Sequence, residues 1–251
     1  WQNIDELFFS RDAVLKAEYN FLFSSLFSEA TLYRRIVELL ATKLMGMTRS
    51  ELLEQLKIID SGKLSIALDN LVKCDFLRCY QAFGMKNRNM LYQLSDMYTL
   101  FYLRFVKNYH GMNEHAWSNM EEGKRNVWAG YAFEQVCILH INQIRSALGI
   151  SGIANDVCSW YYRNKEQSAQ IDLIIDRSDK AIDLCEMKYS DNEYELKKDY
   201  VEWLRRRRDL FREVSGTKKT LRLTMIASAG IKQNMYASAL QGKLSMEDLF
   251  L

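Results

Sequence analysis

The chain has 251 residues, and 48% of them are hydrophobic, which is enough for one large or two ordinary packed domains and excludes a disordered chain. Its 34 basic and 32 acidic residues give a net charge of only +2, so any attraction to nucleic acid would come from local patches. No apolar run approaches the roughly 18 residues of a membrane span and no signal peptide is visible, so we expect no membrane partner.

The cysteines and histidines indicate the setting of the protein. An odd number of cysteines, without a CxxC pair and mostly within apolar segments, is typical of free thiols in a reducing, cytoplasmic environment: Cys74, Cys79, Cys137, Cys158 and Cys185. The three histidines lack metal-ligand spacing, which argues against a zinc site or a histidine-based hydrolase.

The first 28 residues show helical apolar spacing without a self-contained pattern. We therefore expect residues 1–28 to be the tail of a preceding domain. The first residue is Trp1 rather than Met, which indicates that the sequence is part of a longer protein.

Residues 29–96 predict three short helices followed by two strands. Thr48 stands three residues before Glu51, the spacing of a capping box that starts the second helix. The strands "LRCYQAF" and "MLYQLSD" flank a basic turn. This order is that of a winged helix, so we predict a winged-helix domain over residues 29–108, mainly α with a β-hairpin wing.

DNA contacts of this domain would come from its third helix and its wing. The candidates are Lys63 and Lys73 on the helix and Lys86 and Arg88 at the hairpin tip. The helix is only weakly basic, so a domain that packs or dimerises without touching DNA is an equal alternative.

Residues 109–251 alternate helices and strands and predict an α/β domain built on a mixed sheet. The expected elements are a helix over 127–148, strands near 157–163, 169–176 and 181–189, a long helix over 193–214 and a strand over 220–228.

Three E-x-K triplets occur in the chain, but only Glu186 and Lys188 lie at the end of an apolar strand. Residues two apart share a face of a strand. If the preceding hairpin is centred on Asp179, Asp172 lies directly opposite Glu186 and faces the same side. Two carboxylates and a lysine would then converge on one patch.

Two neighbouring carboxylates in an apolar sheet require a cation between them. Mg²⁺ or Mn²⁺ would neutralise both and leave positions for a phosphate oxygen and a water. Lys188 would orient or activate that water. The pattern therefore predicts a metal site for phosphodiester hydrolysis, with Asp172 and Glu186 as ligands.

These residues resemble the PD-(D/E)XK nuclease superfamily, in which a helix supplies a glutamate, a strand an aspartate and the next strand the E-x-K. The resemblance rests on "GYAFEQ", "IDL" and "CEMKYS", and it implies Lys188 as the catalytic lysine and Glu134 as an auxiliary acid. Many relatives have a glutamate where this chain has Gln170, which adds no charge. A solvent-exposed helix glutamate is the alternative for Glu134.

The whole chain resembles the C-terminal region of prokaryotic AAA-family ATPases, in which a winged helix and a PD-(D/E)XK-like domain follow the ATPase domain. The resemblance rests on "NIDELFF", "SEATLYRRIVELLA", "GKLSIALDNLVKCDFL" and "GIKQNMYASALQGKLSMEDLF". It implies an upstream ATPase domain as partner, and the sequence itself contains no GxxxxGK[ST] phosphate loop.

The predicted long helix has a buried stripe, and its arginines 205–208 should mostly form the solvated side. The stripe comprises Leu196, Tyr200, Leu204, Phe211 and Val214. Arg205 and Arg206 are also candidates to follow a phosphate backbone.

Three functions follow from these patterns. The first is a DNA-acting module with Mg²⁺-dependent nuclease activity, and the second is a catalytically inactive nuclease fold that binds DNA or a protein partner and regulates the ATPase. The third is a structural oligomerisation region of the ATPase.

Overall fold

The computed structural model describes residues 2–84 and 90–250, and the chain divides into two compact units. The first comprises Trp1–Tyr80 and Asn87–Lys124, and the second comprises Gln81–Lys86 and Arg125–Leu251. The division at 124/125 lies later in the chain than the domain boundary expected near residue 108.

The first unit combines helices with a small sheet. Its helices are α1 (Gln2–Phe8), α2 (Val14–Leu26), α3 (Ala30–Leu40), α4 (Arg49–Leu56), α5 (Gly62–Lys73) and α6 (Met97–Phe101), which continues as a π-helical turn, Tyr102–Val106. Its strands, in the sheet order β1-β3-β2, are β1 (Met47–Thr48), β2 (Leu77–Gln81) and β3 (Met90–Leu94).

The start of α4 is fixed by its own sequence. The Glu51 amide donates to the Thr48 hydroxyl at 3.2 Å, and the Thr48 amide donates to the Glu51 carboxylate at 2.7 Å. These reciprocal bonds satisfy two helix-start amides that would otherwise lack partners. The predicted capping box is confirmed.

Residues before 29 are integrated into the first unit. Asp5 of α1 is 3% exposed, and its carboxylate accepts the amides of Trp117 at 2.7 Å and Ser118 at 3.1 Å. Phe8 and Phe23 are buried as well. These contacts join the first helices to residues beyond 108, which explains why the compact unit extends to Lys124.

The second unit is an α/β layer structure, as its pattern predicted. It contains all but the first turn of α7 (Glu122–Leu139), the helices α8 (Ile141–Ala147) and α9 (Lys198–Ser215), and the strands β4 (Asn155–Arg163), β5 (Ser168–Arg177), β6 (Ala181–Lys188), β7 (Thr220–Ala227) and β8 (Gly242–Ser245). The sheet order is β4-β5-β6-β7-β8. The pairs from β4 to β6 are antiparallel, and those from β6 to β8 are parallel.

Helices cover both faces of this mixed sheet. Leu184 of β6 packs in one apolar cluster with Leu204 and Phe211 of α9. Cys185, the next residue of β6, packs in a second cluster with Phe133 and Cys137 of α7. Because neighbouring strand residues point to opposite faces, α9 and α7 lie on opposite sides of the sheet.

The apolar stripe of α9 explains how this helix docks. Leu204 and Phe211 are 1% and 0% exposed, while Val214, expected on the same stripe, is 40% exposed at the last turn. The helix ends at Gly216, whose φ of 63° is the left-handed conformation that glycine adopts without strain.

All five cysteines are free, as predicted. Within residues 2–84 and 90–250, no helix is both long and apolar enough to cross a membrane.

Candidate functional site

The hairpin of β5 and β6 places the predicted acidic residues. The pairs of β5 with β6 run from Asp176 with Ile182 to Leu173 with Cys185. The hairpin is therefore centred on Asp179, as predicted. At Asp172 and Leu173 the pairing of β5 with β4 shifts register, because Ile174 pairs with Cys158 but Ile171 pairs with Trp160. Leu184 faces α9, and Glu186, two residues further along β6, faces the same side.

Glu186 is 8% exposed, and both of its carboxylate oxygens have partners within the protein. Tyr200 donates its hydroxyl to Oε1 at 2.6 Å, and Lys188 Nζ lies 3.0 Å from the same oxygen. Arg207 Nη2 lies 2.6 Å from Oε2, but its N–H is not aligned as a hydrogen bond, so the attraction is mainly Coulombic. Two cations and a hydroxyl thus surround one buried carboxylate.

These partners keep the carboxylate ionised. Burial alone would raise the pKa of Glu186, but the charges of Arg207 and Lys188 and the Tyr200 hydrogen bond outweigh burial and lower that pKa below its ordinary value. Burial and the neighbouring carboxylate raise the pKa of Tyr200 well above its ordinary value. Tyr200 therefore stays protonated and acts as a hydrogen-bond donor at neutral pH.

Arg207 joins α9 to the two strands. Its side chain is 7% exposed, and its Nη1 donates to the Gln170 carbonyl at 3.2 Å. The guanidinium carbon lies 4.4 Å from the centre of the Trp203 ring. One nitrogen of the arginine thus contacts the β5 backbone and another lies at Glu186 of β6.

The prediction that arginines 205–208 mostly form the solvated side of α9 is wrong for Arg207. Arg205 and Arg206 are exposed as expected, but Arg207 is buried. The residue stands three after Leu204 and four before Phe211, so helical spacing places it on the buried stripe. That spacing was the signal from which its burial could have been predicted.

Asp172, on the neighbouring strand β5, is half-buried. It accepts a hydrogen bond from the Gln170 side-chain amide, two residues earlier on the same face of β5. Lys188 approaches the Tyr200 ring, with Nζ 5.5 Å from its centre. Glu186 and Lys188 therefore lie on the α9 side of the sheet. Ala169 and Ile171, which alternate with Gln170 and Asp172 along β5, pack in the α9 cluster, so Asp172 faces the opposite side.

Glu134 is placed differently from Glu186. It lies on α7, between Phe133 and Cys137, which pack against the sheet face opposite to the one that carries Glu186. The helix of Glu134 thus covers the other side of the sheet, and its role as an auxiliary acid stays a prediction.

The donor set of this centre does not fit a divalent cation as it stands. Mg²⁺ takes carboxylate oxygens, but both oxygens of Glu186 already face Arg207, Lys188 and Tyr200. In the part of the chain that the structure describes, no group of three or more His, Cys, Asp or Glu residues could hold a metal ion. Arg207 and Lys188 supply positive charge to Glu186, and the metal site with Asp172 and Glu186 as ligands stays a prediction.

The candidate nucleic-acid-binding residues of the first unit differ in their surroundings. Lys63 on α5 is exposed and pairs with Glu29 at 2.9 Å, and Lys73 is exposed at the end of the same helix. Lys86 and Arg88 lie outside the described residues.

A second buried carboxylate was missed by sequence reasoning. Asp183 of β6 is 1% exposed and lies 3.2 Å from Arg177 Nη1 and 3.1 Å from Arg222 Nε, and it accepts the Thr224 hydroxyl at 3.1 Å. A lone aspartate inside the apolar run "AIDLC" was the available signal. Three strands share this network, which favours a structural role.

The described residues thus define a two-unit α/β protein with a buried glutamate held by an arginine, a lysine and a tyrosine. No known protein-family profile matches the chain, and no solved structure matches it either. The chain is similar to an uncharacterized protein of Methanocaldococcus jannaschii, with 26% identity over 219 residues. The match covers 85% of this chain and 47% of that protein, so the chain spans about half the length of this relative.

Proposed function

We propose that this chain is the DNA-binding C-terminal part of an AAA-family ATPase, with a winged helix followed by a PD-(D/E)XK-type fold that binds DNA without cutting it. The observation that carries the proposal is the neutralisation of Glu186 by Arg207, Lys188 and Tyr200. A nuclease centre needs carboxylate oxygens open to metal and substrate, whereas this carboxylate already has protein partners on both oxygens.

The order of elements in the first unit supports a winged helix. Three helices, α3, α4 and α5, precede the hairpin strands β2 and β3, and β1 completes the sheet by pairing with β3. On α5 the exposed residues include Lys63 and Lys73, with Ile66 at 60% exposure between them. Such a helix presents two cations and an apolar side chain to a DNA groove.

The second unit supports a PD-(D/E)XK-type fold by its topology and by the position of its charges. An antiparallel hairpin passes into parallel strands with helices on both faces, and the two strands of that hairpin carry Asp172 and Glu186. The exposed Arg205 and Arg206 lie on α9, the helix that covers the face that carries Glu186. Cations at this position suit contacts to phosphates, which bind without reading sequence.

The upstream ATPase domain is proposed from the resemblance of the chain. The archaeal relative is about twice as long as the matched region, since the match covers 47% of it, and therefore has room for a further domain. In the proposed arrangement, the two units of this chain would bind DNA, and the upstream ATPase domain would act on that DNA through ATP hydrolysis.

DNA binding can be tested by fluorescence anisotropy of a labelled duplex over a salt series. The Arg205→Gln/Arg206→Gln variant should bind more weakly, and its salt dependence should fall by about 0.9 for each phosphate that the variant no longer neutralises. The matched control is Lys218→Gln/Lys243→Gln, which removes the same charge from exposed positions off α9 and should bind like the wild type. Equal affinities of all three proteins would reject this interface.

Phosphodiester hydrolysis with Mg²⁺ or Mn²⁺ is the second candidate function. It is favoured by one observation, the hairpin centred on Asp179 that carries Asp172 on β5 and the Glu186–Lys188 pair on the neighbouring strand β6. Plasmid or branched DNA should then be cut with either metal by the wild type and not by Asp172→Ala. Equal activity of the two proteins would count against this function.

A further inference from the structure

A groove lies beside the Glu186 centre, between α9 and the start of β5. Its volume is about 220 Å³, and its lining comprises Gln167, Ser168, Ala169, Trp203, Arg206, Arg207 and Leu210. Among these described residues there are two arginines and no carboxylate. Because Arg207 is buried and paired with Glu186, the exposed positive charge of the groove comes from Arg206, and Trp203 forms an aromatic wall.

Trp203 is the feature of this groove that core packing does not explain. It is 41% exposed, although α9 has a well-formed apolar stripe that buries Leu204 and Phe211. The indole is nevertheless held in place, because it stacks on Tyr200 with ring centres 5.3 Å apart and contacts the Arg207 guanidinium at 4.4 Å. A fixed, half-exposed indole adds little to the stability of the fold but offers a preorganised surface to a ligand.

The Trp203–Tyr200 stack is connected to the buried carboxylate of Glu186. Tyr200, on which Trp203 stacks, donates its hydroxyl to Glu186, and Arg207 contacts the same carboxylate. The orientation of the indole is therefore fixed by residues that are themselves held by a buried ion pair. Arg206, next to Arg207, is exposed and lines the groove from the solvent side.

We infer that this groove binds an unpaired nucleotide of a DNA strand, whose base packs against Trp203 while its phosphate faces Arg206. A planar aromatic group with a neighbouring negative charge matches the aromatic wall and the exposed cation of Arg206. A base in a duplex hides its π-face in the stack, so the site selects single-stranded or frayed DNA. This inference rests on the proposed DNA-binding function and adds the strand state of its ligand.

The test measures the binding of a single-stranded oligonucleotide that contains 2-aminopurine, and of the matched duplex, by anisotropy and by quenching of the base fluorescence. Trp203→Ala should weaken single-strand binding about 5- to 150-fold and abolish the quenching, since stacking on an aromatic contributes about that factor per base. Trp203→Phe should retain most of the affinity, and duplex binding should stay unchanged in both variants.

Two controls separate stacking from other effects. Phe250→Ala removes another exposed aromatic of the same unit, one that packs on His140, and should leave single-strand binding unchanged. Arg206→Gln should weaken binding and lower its salt dependence while it keeps the quenching. Far-UV circular dichroism verifies that each variant is folded.

The outcomes distinguish the two proposals. Single-strand binding by Trp203→Ala equal to that of the wild type, or an equal loss on duplex and single strand, overturns the inference. A wild type that binds duplex but no single strand overturns the inference and leaves the proposed function intact. A wild type that binds neither form overturns the proposed function and the inference with it.

Discussion

The pair of Glu186 and Arg207 offers the sharpest prediction about how the site is built. Replacing Arg207 by Met removes the guanidinium but keeps an apolar side chain of similar length on the buried stripe of α9. Glu186, which is 8% exposed, then retains only Lys188 and Tyr200. A buried charge that loses its partner costs about 3–5 kcal/mol, and Lys188 should bring the cost to the lower end, about 3 kcal/mol.

Glu186→Gln should cost a similar amount, because it leaves the buried guanidinium with the Gln170 carbonyl and the Trp203 ring. The double variant buries no unpaired charge, so it should be more stable than the sum of the single losses implies. The coupling free energy should be about 1–3 kcal/mol. The assay is urea unfolding followed by circular dichroism and tryptophan fluorescence, with heat unfolding as a second measurement.

The control for this cycle is Lys188→Met. Its side chain is 35% exposed, so its pairing with Glu186 is screened by solvent and its loss should cost about 1 kcal/mol or less. The reasoning is refuted if Arg207→Met costs no more than Lys188→Met, or if the losses of Arg207→Met and Glu186→Gln simply add.

Other predictions concern stability and thiol reactivity. The pKa of Glu186 is lower in the folded chain than its ordinary 4.5. The ionised carboxylate therefore contributes stability above pH 4.5, and this contribution is lost as the pH falls through the pKa of the folded state. The loss of unfolding free energy in acid, measured by urea unfolding, should be smaller in Glu186→Gln than in the wild type. Cys74 is exposed and should react with a thiol reagent in the native protein. Burial raises the pKa of Cys137 to about 12 and that of Cys185 well above its ordinary value, so both thiols should react only on unfolding. Prompt labelling of Cys137 or Cys185 in the native protein, seen by peptide mass mapping, would contradict their burial. Thr48→Ala should destabilise the first unit by about 1 kcal/mol through loss of the α4 cap, and an unchanged free energy of unfolding would contradict that role.

The hairpin of β5 and β6, including its centre at Asp179, was predictable from the sequence. Two apolar runs of similar length around the turn at Asp179 allow one pairing that buries both, and the observed partners Leu173 and Cys185 follow it. The mixed α/β class of the second unit followed from the same periodicities, and the Thr48 cap followed from a local motif.

The partners of Glu186 were harder to predict because they come from a different element. A charged residue on a helix is usually solvated, and only the spacing of Arg207 from Leu204 and Phe211 indicated burial. The extent of the first unit also escaped prediction, because it depends on the bond from Trp117 to Asp5, which joins residues far apart in the sequence. Pattern reasoning detects local periodicity well but not contacts between distant segments.

The central claim is that protein cations, rather than a metal, complete the Glu186 centre of a DNA-binding module. The direct measurement is DNA affinity and integrity in parallel reactions with EDTA and with Mg²⁺. We predict that Mg²⁺ does not raise the affinity and that the DNA stays intact throughout, because Arg207 and Lys188 already neutralise the carboxylate. Mg²⁺-dependent cleavage that is lost in both Asp172→Ala and Glu186→Ala would contradict the account.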